Sequence, residues 1–261
     1  MTPPPDIPTI GQLLAWAPAF ILVLARVGAV MALMPGLGES SAPAIVRVGL
    51  ALGLTVLLVP LLAPHLPPVP QLGAGMALMI AGEVVTGLWF GWLARMIVLA
   101  LPIGAQFVAY LLGLSSVLQP DADLGAQSTA LARLFAAAVP VIVLASGLYM
   151  LVLRALVGLF ALIPPGQMLP AGEGAQAALQ AVSSAFALAL QLASPFVVAA
   201  VAWHVAMGQI ARVMSRTQIF FVMMPGQILG GLVLLSLAAG IMIAVWQRQA
   251  EAWLGALPGG G

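Results

Sequence analysis

The sequence lacks cysteine, lysine and asparagine, and each absence removes a class of chemistry. Without cysteine, the 261-residue chain has no disulfide, no thiolate nucleophile and no cysteine-ligated metal. Without lysine, it has neither a Walker A phosphate loop nor an amine for Schiff-base chemistry. Without asparagine, it has no N-glycosylation sequon. The remaining chemistry must therefore come from a small set of other polar groups.

Charge is also scarce. Charged residues make up 6% of the chain, against about 25% in a typical soluble domain. The net charge of +1 provides no field that would attract nucleic acid, so no nucleic-acid partner is predicted. Hydrophobic residues make up 63%, the mean hydropathy is +1.16, and apolar runs of helix length recur. A helix satisfies its own backbone hydrogen bonds in lipid, so the sequence predicts an all-α integral membrane protein.

Catalytic motifs are missing. The two histidines, His65 and His204, do not form an H-E-x-x-H motif, and no G-x-S-x-G motif is present. Asp121 and Asp123 form a D-x-D pattern that can hold Mg²⁺, although a solvated turn is the favoured interpretation. No catalytic, cofactor or metal site is predicted, and the chain is not expected to be an enzyme.

About six apolar helical segments are predicted, separated by clusters of proline and glycine. One of them, residues 72–118, would be about 70 Å long as a straight helix, more than twice a hydrocarbon core of about 30 Å. We therefore expect a break near Arg95, Pro102 and Gly104. The other predicted segments cover residues 10–34, 44–62, 131–163, 175–209 and 217–246.

The last two segments are predicted to form a helical hairpin whose turn carries Arg212 and Arg216. In segment 131–163, Arg133 and Arg154 lie about 31 Å apart along one helix, so each could reach a membrane interface. The glycine-rich tail, residues 259–261, is expected to be disordered.

Three charged residues, Arg26, Glu83 and Arg95, lie inside apolar segments. A charge at the centre of a bilayer costs about 2.5–3.5 kcal/mol on insertion scales, so each needs a partner. Glu83 and Arg95 are about 18 Å apart along one helix and cannot pair within it. An ion or proton pathway is one interpretation. The favoured interpretation is an inter-helix ion pair, or segments that lie outside hydrocarbon in the assembled state. The reason is that a proton-coupled carrier usually needs more than one intramembrane carboxylate, and only Glu83 qualifies.

Glycines four residues apart recur in three segments, a spacing that lets helix backbones approach closely. Whether the partner helices belong to this chain stays open at this stage. The pairs are Gly49 with Gly53, Gly87 with Gly91, and Gly226 with Gly230.

Residues 104–120 mix small, apolar and neutral polar side chains. Such a stretch suits the lining or plugging of a pore, although composition alone slightly favours the alternative of an ordinary packed helix ending at Pro120. Near the C-terminus, Pro225 predicts a kink in the last helix.

Several of these landmarks follow one another in a known order. They are Leu24-Ala25-Arg26-Val27-Gly28, Met34-Pro35, Pro43, Arg47-Val48-Gly49-Leu50-Ala51, Pro60, Glu83 with Gly87 and Gly91, Gly208-Gln209-Ile210-Ala211-Arg212, Ile219-Phe220 and Pro225. In this order and spacing they resemble the FliR family of flagellar export-gate proteins, whose injectisome counterparts are the T-type subunits. The chain departs from the family pattern at His204, where Asn is usual, and at Ser215-Arg216, where Pro-Gln is usual.

The resemblance implies a non-enzymatic core subunit of a type III protein export gate. The gate would lie in the bacterial inner membrane, at a flagellar basal body or an injectisome base. P-type and Q-type subunits would be its partners, with B-type and A-type export proteins beside them and unfolded polypeptides as substrates. Family members consist of bent helical hairpins. Residues 1–170 would resemble the P-type partner and residues 171–261 the Q-type one.

The resemblance also assigns roles to residues. A plug of the closed pore would comprise Gly113, Leu114, Ser115, Ser116, Val117, Leu118, Gln119 and Pro120. Contacts between helices or subunits would involve Arg26, Arg47, Glu83, Arg212 and Pro225. A secondary transporter of a small solute is the alternative function, because helices broken by proline and glycine suit such proteins too.

Overall fold

The computed structural model describes residues 16–38, 43–63, 73–114, 118–121, 125–212 and 216–260. Within these ranges the chain forms seven helices and one short β-hairpin. The all-α prediction is confirmed, with the hairpin as an addition. The elements are α1 (Ala17–Leu33), α2 (Ala44–Leu62), α3 (Ala74–Leu111), β1 (Leu118–Asp121), β2 (Gly125–Thr129), α4 (Ala130–Ser146), α5 (Leu148–Leu162), α6 (Ala171–Ile210) and α7 (Arg216–Gly255).

Four helices in the described residues are long and apolar enough to cross a bilayer: α2, α3, α6 and the Met223–Gly255 part of α7. The bent pair of α4 and α5 counts as a fifth span if it crosses the membrane as one unit. The chain is thus an all-α integral membrane protein.

Helix α3 is one continuous helix of 38 residues, so the break predicted near Arg95, Pro102 and Gly104 is wrong. Pro102 removes a single backbone donor, which a long helix tolerates when its neighbours support it. Gly104 serves packing, because a Cβ there would lie 3.1 Å from the carbonyl oxygen of Ala189 and 3.3 Å from Cβ of Leu192 in α6. The predicted breaker is therefore a contact point between two helices.

The segment predicted as one helix over residues 131–163 is bent by 72° between α4 and α5. Gly147 lies at the bend with a φ of 77°, a left-handed conformation that ends α4 at little steric cost. The distance of about 31 Å predicted between Arg133 and Arg154 assumed a straight helix, and the bend invalidates it.

The two C-terminal helices are confirmed, and α7 extends nine residues past its predicted end, to Gly255. They lie side by side, because a Cβ on Gly226 of α7 would lie 2.8 Å from the Trp203 ring of α6. Residues 213–215 of the predicted basic turn lie outside the described residues.

Residues 119–125 are predicted as a loop, but they include most of β1 and the first residue of β2. Strands β1 and β2 pair antiparallel, Leu118 with Thr129 and Gln119 with Ser128. The pairing becomes irregular between Gln119 and Asp121, where Pro120 has no N–H to donate. Helix α3 already ends at Leu111, so the alternative of a helix reaching Pro120 is wrong.

The chain divides into two compact units. The first unit comprises Met1–Ala94, Val152–Ala175 and Ala256–Gly261, and the second comprises Arg95–Leu151 and Gln176–Gly255. Their boundaries fall inside α3, α5 and α6 and at the end of α7. The division predicted at residue 170 rests on likeness to two partner subunits and not on compactness. It therefore stays a prediction.

The C-terminal residues pack on α5 within the first unit, so the disorder predicted for Gly259 and Gly260 is wrong. Gly259 has a φ of 90° and lies against the backbone of Ala155 and Leu159, while Gly158 of α5 lies directly against the Gly259 carbonyl. Leu257 is 4% exposed. The absence of side chains at Gly158 and Gly259 allows this close approach. Residue 261 lies outside the described residues.

We expect Gly158→Ala to destabilise the protein by about 1–3 kcal/mol, because its new Cβ would overlap the Gly259 backbone. Thermal unfolding of the purified protein, followed by tryptophan fluorescence, measures the change. Gly240→Ala in α7 is the matched control, since a Cβ at residue 240 meets no heavy atom within 4 Å. Equal midpoints for the two variants would contradict the packing described for the C-terminal residues.

Candidate functional site

The centre of the first unit holds an ion pair between two apolar helices. Arg26 comes from the middle of α1 and Glu83 from α3, and both side chains are 0% exposed. Arg26 Nε donates to Glu83 Oε2 at 2.6 Å, and an Nη2 proton reaches Oε1 at 3.1 Å. This two-pronged geometry is the strongest that an arginine and a carboxylate form.

The polar groups of the pair find further partners in the chain that follows α5. Arg26 Nη1 donates to the carbonyl oxygen of Ile163 at 2.7 Å, and the backbone N–H of Gly166 donates to Glu83 Oε1 at 2.7 Å. The guanidinium carbon also lies 4.5 Å from the centre of the Phe160 ring, in a cation–π position. Three distant parts of the sequence therefore meet at one buried charge pair.

The turn after α5 has the right conformation to present its N–H. The backbone N–H of Gln167 bonds to the Pro164 carbonyl at 3.1 Å, and Gly166 has a φ of 87°. A proline at the second position and a left-handed glycine at the third are the marks of a type II turn. Pro165 and Gly166 occupy those positions, and the turn directs the Gly166 N–H toward Glu83.

Two glycines on α3 bring α1 close enough for the pair to form. Gly87 and Gly91 lie one and two turns after Glu83 on the same helix face. A Cβ on Gly87 would lie 2.5 Å from the Arg26 carbonyl oxygen, and one on Gly91 would lie 3.0 Å from Cβ of Leu33. This glycine pair therefore packs against a helix of its own chain.

The other two glycine pairs are used differently. Gly49 and Gly53 of α2 face open space in the part of the chain that the structure describes, where no heavy atom lies within 4 Å of the position of a Cβ. Gly226 faces Trp203, while Gly230 is open.

The arrangement at Arg26 and Glu83 joins parts of the fold and satisfies both carboxylate oxygens. Oε1 accepts two hydrogen bonds and Oε2 accepts one. Removal of either partner of such a buried pair costs about 3–5 kcal/mol, because the charge of the other partner is left unpaired. Of the two interpretations of the buried charges, the structure agrees with an inter-helix ion pair between Arg26 and Glu83. A role of this pair in contacts with other subunits stays a prediction.

The remaining predicted contact residues are dispersed. Arg47 lies on α2, partly buried, beside a pocket of about 200 Å³, and its Nε has no hydrogen-bond partner in the described residues. Arg212 follows α6 and Pro225 interrupts α7, and both are exposed. Arg47 belongs to the first unit with Arg26 and Glu83, whereas Arg212 and Pro225 belong to the second.

The predicted plug residues follow the end of α3. Gly113 has a φ of 75° and Leu114 is partly buried. Ser115, Ser116 and Val117 lie outside the described residues. Leu118, Gln119 and Pro120 belong to β1.

Two glutamines that form hydrogen bonds at the ends of the connection between α3 and α4 were not predicted from the sequence. Gln106 Oε1 accepts from both the backbone N–H and the hydroxyl of Thr129, each at 2.9 Å. Gln227 Nε2 of α7 donates to the Leu111 carbonyl oxygen at 2.7 Å. An amide side chain inside an apolar helix was the available signal, because such a group needs a buried partner. Among the described residues, no cluster of three or more metal-binding side chains occurs.

We expect Glu83→Gln to destabilise the protein by about 3–5 kcal/mol, because it leaves Arg26 charged and buried without its carboxylate. Glu251→Gln is the control, since Glu251 is an exposed carboxylate on α7. The yield of folded protein in membranes and its thermal midpoint measure the difference. The double variant Arg26→Met with Glu83→Leu should recover much of the loss, and a loss greater than that of Glu83→Gln alone would contradict this account.

The sequence is similar to known proteins over most of its length. Residues 17–253 match the family described as "Bacterial export proteins, family 1". A flagellar biosynthetic protein FliR of Caulobacter vibrioides is 32% identical over 225 residues, covering 86% of this chain and 90% of the relative. A protein of the same name from Bacillus subtilis is 25% identical over 231 residues, covering 87% of this chain and 88% of the relative. The chain therefore belongs to the bacterial export proteins, family 1, the family that includes the FliR proteins.

Proposed function

We propose that this chain is a non-enzymatic core subunit of the flagellar protein export gate, joined with P-type and Q-type subunits in a sealed conduit for unfolded polypeptides. The observation that carries the proposal is the family match over residues 17–253, which includes almost every described helix. Membership of that family makes the chain a component of bacterial protein export. The two FliR relatives are named as flagellar proteins, which favours the flagellum over the injectisome.

Uncovered helix faces support a place inside a larger assembly. Within an 18-residue apolar stretch of each helix, only 22% of α2 and 11% of the Met223–Gly255 part of α7 are buried within the described chain. Both are apolar, so lipid or helices of other subunits must cover them. P-type and Q-type subunits would supply those helices, with B-type and A-type export proteins at the inner membrane beside the basal body.

The charge distribution supports the same proposal. Arg26 and Glu83 are saturated within the chain, whereas Arg47 presents a partly buried cation on the little-covered helix α2. A carboxylate or carbonyl of a neighbouring subunit would satisfy Arg47 and bind the two chains together. Arg212, at the exposed end of α6, is available in the same way, and Pro225 shapes the adjacent helix.

The seal is assigned to the connection that follows α3. Gly113, Leu114, Ser115, Ser116, Val117, Leu118, Gln119 and Pro120 would close the resting conduit. The left-handed Gly113 after the end of α3 and the pairing of β1 with β2 support this assignment, because residues 113 and 118–121 are not a continuation of the helix.

Deletion of the gene should abolish motility and the export of filament protein into the medium, and the wild-type chain should restore both. Purification of the complemented chain should recover P-type and Q-type subunits. Arg47→Ala should reduce their recovery several-fold, whereas Arg248→Ala, an exposed arginine on α7, should not. Undiminished export in the deletion strain would contradict the proposed function.

Removal of residues 114–118 should raise the entry of a membrane-impermeant dye into cells that contain assembled gates. The reason is that the proposed seal would be shortened while the helices remain. Dye uptake is compared with that of cells without the chain, which have no conduit. Uptake equal to wild type, with assembly intact, would exclude this stretch from the seal.

A further inference from the structure

A polar pocket of about 390 Å³ lies between the bend that joins α4 to α5 and the last turns of α7. Its polar lining comes from Ser146 at the bend and from Gln247, Arg248 and Glu251 of α7. All four residues belong to the second unit. The pocket therefore combines a hydroxyl and an amide with one charge of each sign.

The two charges of this pocket are exposed and are not paired with each other. Arg248 and Glu251 are spaced as i and i+3 on α7, a spacing at which side chains of opposite charge commonly pair. In the part of the chain that the structure describes, however, no ion pair or hydrogen bond joins them. A cation and an anion that stay apart at one pocket suit a ligand that carries both charges itself.

The pocket lies where the apolar part of α7 ends. Residues 223–247 carry no charge, and Arg248 and Glu251 are the first charged residues that follow them. The membrane-spanning candidate on this helix, Met223–Gly255, ends four residues after Glu251. Charged groups that follow a long apolar stretch mark the level of a membrane interface, where lipid headgroups lie.

An exposed apolar stripe leads from the pocket along α7. Val233, Leu237 and Ile241 are 61%, 73% and 67% exposed, and their spacing places them on the same helix face as Arg248. Leu237 precedes Arg248 by 11 residues, which is about 16 Å along a helix and about half of a hydrocarbon core of about 30 Å. The stripe therefore extends from the interface through the depth of one leaflet, the depth that an acyl chain occupies.

The bend adds partial charges of both signs to the pocket. Helix α4 ends at Ser146 and α5 begins at Leu148, on either side of the left-handed Gly147. A helix C-terminus favours a cation and a helix N-terminus favours an anion. Ser146 Oγ donates its proton to the Ile142 carbonyl oxygen at 2.7 Å, so its lone pairs stay free to accept from a ligand.

We propose that this pocket binds the headgroup of a zwitterionic phospholipid of the ethanolamine class, whose acyl chain follows the stripe of Val233, Leu237 and Ile241. Arg248 binds the phosphate, because guanidinium and phosphate form two parallel charge-assisted hydrogen bonds. Glu251 accepts from the primary ammonium group. This assignment does not depend on the proposed role in export.

The pair of charges also defines which headgroups the pocket rejects. A choline headgroup has no N–H to donate to Glu251, although it has the same charge as ethanolamine. A glycerol headgroup leaves the phospholipid with a net negative charge, which Glu251 repels. The pocket is therefore expected to select phosphatidylethanolamine over both other lipids.

Photolabelling tests the site on the full-length chain, purified in detergent with the subunits that accompany it. A phosphatidylethanolamine with a diazirine at the start of one acyl chain is the probe, and mass spectrometry locates the labelled residues. We expect label within residues 146–151 and 237–251. Unlabelled phosphatidylethanolamine should compete about tenfold better than phosphatidylcholine or phosphatidylglycerol, because it alone gains a hydrogen bond to a charged acceptor.

Three outcomes of the labelling overturn the proposal. They are label confined to other helices, equal competition by the three phospholipids, and competition by soluble glycerophosphoethanolamine that equals that of the lipid. The last result would show that the pocket binds a free solute and that the apolar stripe contributes nothing.

Glu251→Gln tests the selectivity. The variant should bind the three phospholipids equally, because the carboxylate that accepts from ammonium and repels an anionic headgroup is gone. Glu173→Gln, the same change at an exposed carboxylate of α6 outside the pocket, should keep the tenfold preference. A preference that persists in Glu251→Gln overturns the role of Glu251.

Arg248→Gln tests the phosphate contact. It should weaken competition by all three phospholipids about tenfold, because each of them carries the phosphate that Arg248 binds. The recovery of accompanying subunits should equal that of the wild type. A loss of those subunits with unchanged lipid labelling would show that a protein partner covers the pocket, and it would overturn the proposal.

Discussion

The buried pair of Arg26 and Glu83 is the constraint on which the first unit depends. Each charge is costly in an apolar interior, and each is tolerated because the other, with two backbone groups near residue 165, completes its hydrogen bonds. The pair in turn dictates its surroundings. Gly87 must lack a side chain so that α1 approaches, and Gly166 must be left-handed so that its N–H points inward.

The second unit contains close helix contacts at small residues and hydrogen bonds between uncharged groups. Small residues let its helices touch, as at Gly104 against α6 and Gly226 against Trp203. Amide side chains of this unit also bind backbone groups, as at Gln106 and Gln227. A hydrogen bond between neutral groups contributes about 0.5–1.5 kcal/mol net, and one to a charged group about 1.5–3 kcal/mol.

The helices of this protein could largely be predicted from its sequence, because apolar runs between proline and glycine clusters leave few alternatives in lipid. The errors came from single residues with two possible meanings. Pro102 and Gly104 were interpreted as a break, although their role depends on α6, which lies far away in sequence. Gly147 was passed over inside an apolar run, although its left-handed conformation bends the chain by 72°.

The need for partners of Arg26 and Glu83 was evident from the sequence, but their identity was not. A charge inside an apolar segment indicates only that a partner exists. Here the partners include backbone groups at Ile163 and Gly166, which no sequence pattern links to these charges. The amides of Gln106 and Gln227 escaped notice for a similar reason, since their partners are a backbone N–H, a hydroxyl and a backbone carbonyl.

The spacing of these contacts along the chain has a consequence for synthesis. The Gly166 N–H that completes the Glu83 carboxylate lies 83 residues further on, and at about 5–20 residues per second the ribosome needs about 4–17 s to reach it. For that interval the nascent carboxylate and guanidinium must stay hydrated or be shielded by the insertion machinery. The first unit can therefore close only after most of the polypeptide has been translated. Until then, its early helices depend on the components that receive them at the membrane.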